Sequence, residues 1–334
     1  MFKKKVELLS QVEVEDNLSR LKNQSFIDEN DWDSDVLQAI CQQTITNKNL
    51  TPKERYSIKP LNGRTLYTKF EQESTRTFLS SHTSFKLLGG VTEHINNNIS
   101  QTKNGESYKD TFGVYGRYAD ILLIRMASQE KLKTYQNYFI GSDGCPKPIV
   151  NGMTRDKHCL QVLATATNLL EKFGRIHGLD VLYTGAWNNV ARSFFCGLTR
   201  MGANVSIATP DFNQIDQRTL DEVKLYNDAY GSESRIVSNP NHAIKGKKLI
   251  YGDVWESMGE KKDPKETQRL YLPNRIDYKL VSKADDDCIV SHCMPIKGPE
   301  MTTKVKDHFF GNILDEAEYR KLTLETLFTN ILRD

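Results

Sequence analysis

The sequence predicts an α/β protein of two doubly wound parallel-sheet domains with helices on both faces, on three observations. The chain has 334 residues, more than one hydrophobic core usually serves. From about Gly63, short apolar runs bounded by turn residues alternate with stretches of helical spacing. That alternation restarts at Leu179, as a second β-α-β series would. The expected division is residues 1–165, residues 166–312, and a C-terminal helix at 313–334 that packs back on the first domain.

Each element has a local reason. Residues 1–60 are polar and read as irregular, with one short helix at Ser34–Gln42 and a loop from Asn47 to Pro60. Thr65–Phe70 is β-rich and reads as a strand; Thr75–Leu88 has helical spacing and is stopped by Gly89-Gly90. Ser107–Arg117 reads as a helix, Asp120–Arg125 as a buried strand ending in a charge, Pro148–Asn151 as a strand and Asp156–Phe173 as a long helix. The second series runs Val181–Thr184 (strand), Asn189–Met201 (helix), Val205–Ala208 (strand), Asp221–Tyr230 (helix), then strands at Arg235–Val237, Leu249–Tyr251 and Cys288–Ser291. Asp315–Leu332 closes the chain as one amphipathic helix. Two such units in tandem would place a substrate cleft between them.

Composition excludes several classes. Hydrophobic residues at 38% and charged residues at 26% are globular values. The net charge of +2, with Lys and Arg dispersed, gives no electrostatic support for nucleic acid or a membrane surface. The basic start Met1-Phe2-Lys3-Lys4-Lys5 is followed by acidic residues and no apolar segment, so no signal peptide is read. The six cysteines (Cys41, Cys145, Cys159, Cys196, Cys288, Cys293) lack paired spacing, as expected for reduced thiols in a cytoplasmic protein. His292-Cys293 has no second Cys or His pair at ligand spacing, so no metal is expected.

The sharpest local signal is Ser74-Thr75-Arg76-Thr77, after a strand and opening a helix. A helix N-terminus offers free N–H groups and the positive dipole end, and suits a phosphate. The plainer alternative is an N-cap. A cap does not explain Arg76, because the dipole disfavours a cation in the first turn.

Phe70-Glu71-Gln72-Glu73-Ser74-Thr75-Arg76-Thr77 resembles the carbamoyl-phosphate motif of the aspartate and ornithine transcarbamoylases. Further blocks follow in that family's order: Gly105-Glu106-Ser107 with Asp110-Thr111, the strand ending at Arg125, Asn151-Gly152 with His158-Cys159-Leu160-Gln161, and Gly185 to Ser193 with Ala208-Thr209-Pro210. Asp253 to Gly259, His292-Cys293-Met294-Pro295 and Asp315 to Arg320 complete the series. The resemblance implies that Ser74, Thr75, Arg76, Thr77 and Arg125 hold carbamoyl phosphate, with Cys293, Met294 and Arg320 completing its site. It implies that His158 donates to the carbonyl oxygen and that Gln161 accepts from the carbamoyl amide. No cofactor is implied, and the expected assembly is a homotrimer.

The second-substrate blocks are closer to the ornithine branch. Asp253-x-x-x-Ser257-Met258-Gly259 is similar to the ornithine enzymes' loop, where aspartate enzymes carry an Arg-bearing sequence. An acidic residue suits an ammonium group; Arg suits a second carboxylate. By the resemblance, Asn188, Asp253, Ser257 and Met258 bind the amino acid, and Asp253 with Cys293 orients the attacking amine. The expected reaction carbamoylates ornithine's side-chain amine, giving citrulline and phosphate. The alternatives are another acceptor (lysine, a modified ornithine, aspartate) or an inactive binding paralogue.

Some positions depart from the family pattern. Gln72 and Phe78 stand where Lys and Arg are usual, and Ala186-Trp187 replaces the Asp-Gly of Gly-Asp-Gly-Asn-Asn. Trp187 could narrow the pocket. The aspartate enzymes' mobile-loop Ser is met by Ser100, but the Lys before Gly-Glu is Asn104, with Lys103 one place earlier. A nucleotide-binding turn is disfavoured, since Gly185-Ala186-Trp187-Asn188-Asn189 lacks the second and third glycines.

Overall fold

A computed structural model of the chain describes residues 8–96, 105–256 and 263–333. Two compact units emerge: Leu9–Thr167 with Glu318–Asp334, and a second built on Asn168–Ala317. Both are parallel α/β sheets, as the sequence predicts.

The first unit opens with helices α1 (Gln11–Ser19), α2 (Ser34–Asn49) and α3 (Pro52–Ser57). The polar N-terminal region is therefore helical, not irregular, and the loop expected over Asn47–Pro60 holds α3. A capping box explains α3: Thr51 Oγ1 accepts from the Glu54 N–H, Glu54 reaches back to Thr51, and Pro52 pre-sets the first turn. Helix α2 outruns its expected end because Gln43 donates to Asn47 at 2.8 Å and Thr44 buries its hydroxyl against Thr326 at 2.9 Å.

The sheet follows: β1 (Thr65–Phe70), α4 (Thr75–Leu87), β2 (Val91–Ile95), α5 (Tyr108–Tyr118), β3 (Ile121–Arg125), α6 (Gln129–Gln136), β4 (Ile149–Met153) and the start of α7 (Cys159–Phe173). Strand order is β2-β1-β3-β4, so the order reverses between β1 and β3. Every residue of β3 is buried, as a central strand requires. Its apolar side chains Leu122 and Ile124 share a core with Phe112, Leu132, Phe139 and Ile149.

The second unit comprises β5 (Asp180–Thr184), α8 (Asn189–Arg200), β6 (Asn204–Ala208), α9 (Gln217–Tyr230), β7 (Arg235–Val237), β8 (Leu249–Gly252), α10 (Pro264–Tyr271), α11 (Tyr278–Val281) and β9 (Ile289–His292). The order β7-β6-β5-β8-β9 reverses between β5 and β8. Leu182, Ile250, Val290, Val305 and Ile313 anchor its core.

Helix α12 (Thr303–Ile331) starts twelve residues before the expected Asp315. Gly311-Asn312 reads as a stop signal in isolation. In the fold, Asn312 Nδ2 donates to the Val290 carbonyl at 3.0 Å, and buried Val305 and Ile313 hold the added turns. The last part of α12 clusters with the first unit, packing Tyr319 and Leu322 on Ala164. The C-terminal helix thus returns to the first domain.

Candidate active site

In an open α/β sheet, ligands bind beyond the carboxyl ends of the strands where strand order reverses. In the first unit those ends belong to β1 and β3, whose last residues Phe70 and Arg125 are register partners. Beyond β1 the chain turns into α4 through Ser74, whose Oγ accepts from the Thr77 N–H at 3.3 Å. Ser74 is thus an N-cap, as the plainer reading expects. Thr77 is buried, Arg76 is half-buried and Thr75 is exposed. Gly152 of β4 lets this turn sit close: an added Cβ would meet the Thr77 methyl at 3.3 Å and Leu123 Cδ2 at 2.8 Å.

His158 lies just before the first residue of α7, not inside a helix begun at Asp156. Thr154 accounts for the late start, since its Oγ1 accepts from the Lys157 N–H at 3.0 Å and holds the preceding turn. The His158 carbonyl accepts from the Gln161 N–H at 2.9 Å, so one helical turn still brings the two together. Arg320, arriving on α12, donates from Nη2 to His158 Nε2. Burial pushes the imidazole well below its ordinary pKa, and the charges of Arg320, Arg125 and Arg76 push it the same way. A neutral ring is therefore the form present near neutral pH. Four sequence-predicted residues from four separate stretches converge here: Arg76, Arg125, His158 and Arg320. Arg125 and Arg320 are 5% and 3% exposed, which makes the spot a strongly cationic, largely desolvated one.

The second unit has a different character. β5 ends at Thr184 and is followed by Gly185, whose φ of 144° suits glycine, and whose N–H donates to the Ala208 carbonyl at 3.1 Å. Asn188 caps α8: its Oδ1 accepts from the Val190 and Ala191 N–H groups at 3.0 Å. Its Nδ2 donates to Asp253 Oδ2 at 2.8 Å, just beyond β8. Asn188 thus caps a helix, as an Asn before a helical run can, and holds Asp253, a use that the sequence does not reveal. The Cys293 N–H donates to the Gly252 carbonyl at 3.2 Å, placing Cys293 beyond β9 beside the Asp253 strand. Met294 follows in the left-handed region at φ 58°, before a cis Pro295, and its N–H donates to His292 Nδ1 at 2.8 Å.

Two tyrosines border this carboxylate without having been singled out from sequence. Burial raises the Tyr183 phenol well above its ordinary pKa, and Asp253 and Cys293 add to the effect. Tyr251 is raised in the same way by burial, then by Glu316, Cys293 and Asp253. Inside strands, both read only as core residues.

Trp187 precedes α8 and packs against two of its residues. Its ring meets Phe195 edge-on at 6.3 Å, Arg192 lies over that ring at 6.0 Å, and the Trp187 backbone N–H donates to Asp211 Oδ2 at 3.0 Å. Ser257, Met258, Ser100, Lys103 and Asn104 lie outside the described residues. Among the described residues, no group of three or more His, Cys, Asp or Glu could hold a metal ion, and no helix is long and apolar enough to cross a membrane.

One α/β unit thus presents a cationic strand end suited to an anion, and the other an amide-held carboxylate suited to a cation. Comparison with known proteins gives the class. The family model "Aspartate/ornithine carbamoyltransferase, carbamoyl-P binding domain" matches residues 24–171, and that of the "Asp/Orn binding domain" matches residues 177–331. An ornithine carbamoyltransferase of Symbiobacterium thermophilum is 30% identical over 316 residues, covering 94% of this chain and 100% of the relative. One of Thermococcus kodakarensis is 33% identical over 261 residues, 78% of this chain and 81% of the relative. The solved ornithine carbamoyltransferase of Pyrococcus furiosus superposes with a TM-score of 0.85 at 28% identity, covering 93% of this chain and 98% of that one. The chain belongs to the aspartate/ornithine carbamoyltransferase family and is a carbamoyltransferase.

Proposed function

We propose that the protein transfers the carbamoyl group of carbamoyl phosphate to the side-chain amine of ornithine, giving citrulline and phosphate. The observation that carries the choice of amine is the buried Asp253, held by Asn188 at 2.8 Å beside Cys293. A carboxylate there complements an ammonium-bearing amino acid and repels the second carboxylate of aspartate. The ornithine carbamoyltransferase names of the relatives at 30% and 33% identity support the same choice.

In this mechanism Ser74, Thr75, Arg76, Thr77 and Arg125 bind the phosphate, with Arg320 adding charge from α12 and Cys293 and Met294 completing the donor site. His158 and Gln161 address the carbonyl oxygen and the carbamoyl nitrogen. The neutral amine attacks the carbonyl carbon, and charge developing on the oxygen meets preorganised donors. The C–O bond to phosphorus-bound oxygen then breaks, phosphate leaves with the electron pair, and the amine gives up a proton. His158 acts as a neutral hydrogen-bond donor, which its lowered pKa favours. Asp253 and Cys293 orient the amine, which must be neutral to react. Ser257 and Met258 complete the amino-acid site, and the assembly is a homotrimer with active sites at subunit contacts; light scattering of a monomer would contradict that assembly.

The test is citrulline formation from carbamoyl phosphate and ornithine by the wild type beside Asp253→Asn. Citrulline from the wild type, with the variant at least about a hundredfold lower in kcat/KM, is the expected result. Equal rates in both proteins would remove Asp253 from the amine site.

A further inference from the structure

Glu316 is a buried carboxylate in the first half of α12, 1% exposed, within the same unit as the amine-binding residues. Its Oε1 accepts from the Tyr251 hydroxyl at 3.0 Å and its Oε2 from the Ser291 hydroxyl at 2.6 Å. Tyr251 and Ser291 are register partners on β8 and β9. Each stands two residues before a proposed amine-orienting group: Tyr251 before Asp253, Ser291 before Cys293. One turn earlier on the same helix face, Asn312 Nδ2 donates to the Val290 carbonyl at 3.0 Å. Tyr251 is electrostatically coupled to Glu316, Cys293 and Asp253 together, so the four groups occupy one small volume.

A buried carboxylate is costly to desolvate, and a core of this size could be filled with apolar side chains at no loss. What apolar side chains cannot do is fix the register and tilt of two strand ends through directional bonds. We propose that Glu316 is a positioning residue: by bridging Tyr251 and Ser291 it sets the carboxyl ends of β8 and β9 so that Asp253 and Cys293 address the same amine. The inference rests on the assignment of Asp253 and Cys293 to the amine. Glu316 itself is 1% exposed, with each carboxylate oxygen accepting from a hydroxyl.

The experiment uses Glu316→Gln, which keeps the side chain's size, with Tyr251→Phe and Ser291→Ala as milder variants that each remove one donor. Initial rates give KM for both substrates. Separately, mass spectrometry follows iodoacetamide labelling of Cys293 and of Cys288, two thiols of equal 9% exposure at opposite ends of β9. Expected for Glu316→Gln is a rise of about tenfold in the amine's KM, with that of carbamoyl phosphate within about twofold. Cys293 labels several times faster while Cys288 keeps its rate. Combining Tyr251→Phe with Glu316→Gln should add less than either change alone, because both break one network.

Equal changes in both KM values, or Cys288 and Cys293 accelerating together, would reduce Glu316 to general packing and overturn the proposal. Unchanged labelling and kinetics would overturn it too. Failure of the wild type to carbamoylate ornithine would instead defeat the substrate assignment. The labelling comparison still decides the role of Glu316 in that event, since it needs no amine.

Discussion

At the point where strand order reverses, the two sheets present opposite chemistry on the same scaffold. Arg76 stands beyond β1 and Arg125 ends β3, joined by Arg320 around a neutral His158. Beyond β5 and β8 stand Asn188 and Asp253, joined by Cys293 from β9. The first cluster accumulates positive charge, as the proposed dianionic donor would require. The second keeps its carboxylate hydrogen-bonded from within, by Asn188, while a second carboxylate, Glu316, ties the strands behind it. Ligand charge should therefore matter most in the first unit and geometry most in the second.

Arg76→Ala tests the first half of that contrast most severely. It should lower kcat/KM for carbamoyl phosphate by about a thousandfold or more, since the guanidinium proposed to hold the transferring phosphate is removed. The melting temperature should hold, because the helix dipole disfavours a cation in that first turn. Near-normal turnover would break the phosphate assignment. Cys293→Ala probes the second half and should be gentler, raising the amine's KM about tenfold and carbamoyl phosphate's little. An equal effect on both would mean that Cys293 only packs.

Trp187→Ala should act on stability more than on catalysis. Its ring is buried against Phe195 and Arg192, so its loss should cost about 3 kcal/mol. The amine's kcat/KM should change less than about threefold. A large change in acceptor preference with an intact melting curve would return Trp187 to the pocket.

The smallest expected effect is on the pH dependence of stability. Burial, with the charges of Lys86 and His94, lowers the His82 pKa to about 4. The unfolded chain takes up that proton near pH ~6.5, where the folded one does not. The contribution is thus present above pH ~6.5 and lost as pH falls toward about 4. The melting temperature of His82→Gln should fall less than that of the wild type over this range, by a few degrees. Parallel curves would contradict the assignment.

The parts that sequence made legible are those whose signals are local. Ser74-Thr75-Arg76-Thr77 carries its cap, helix start and anion chemistry in four consecutive residues, and β1 runs Thr65–Phe70 as read. Helix α3 was also locally encoded, by Thr51-Pro52-x-Glu54, but the polarity of its surroundings masked the capping box. The clasp of Glu316 on Tyr251 and Ser291 joins residues 65 and 25 positions apart, and no local pattern announces it. Asn188 shows the same limit: its helix cap is readable, its bond to Asp253 is not. The extra turns of α12 depend on Asn312 finding the Val290 carbonyl, a tertiary contact that overrides a Gly-Asn stop signal.

The central claim is that a carbamoyl group goes to ornithine, and competition tests it most directly. Carbamoyl phosphate would be supplied with an equimolar mixture of ornithine, aspartate, lysine, putrescine and N-acetylornithine, and the ureido products resolved by mass spectrometry. Citrulline as the dominant product is the predicted result. Carbamoyl-aspartate, or any other ureido product in its place, would keep the chemistry and contradict the acceptor.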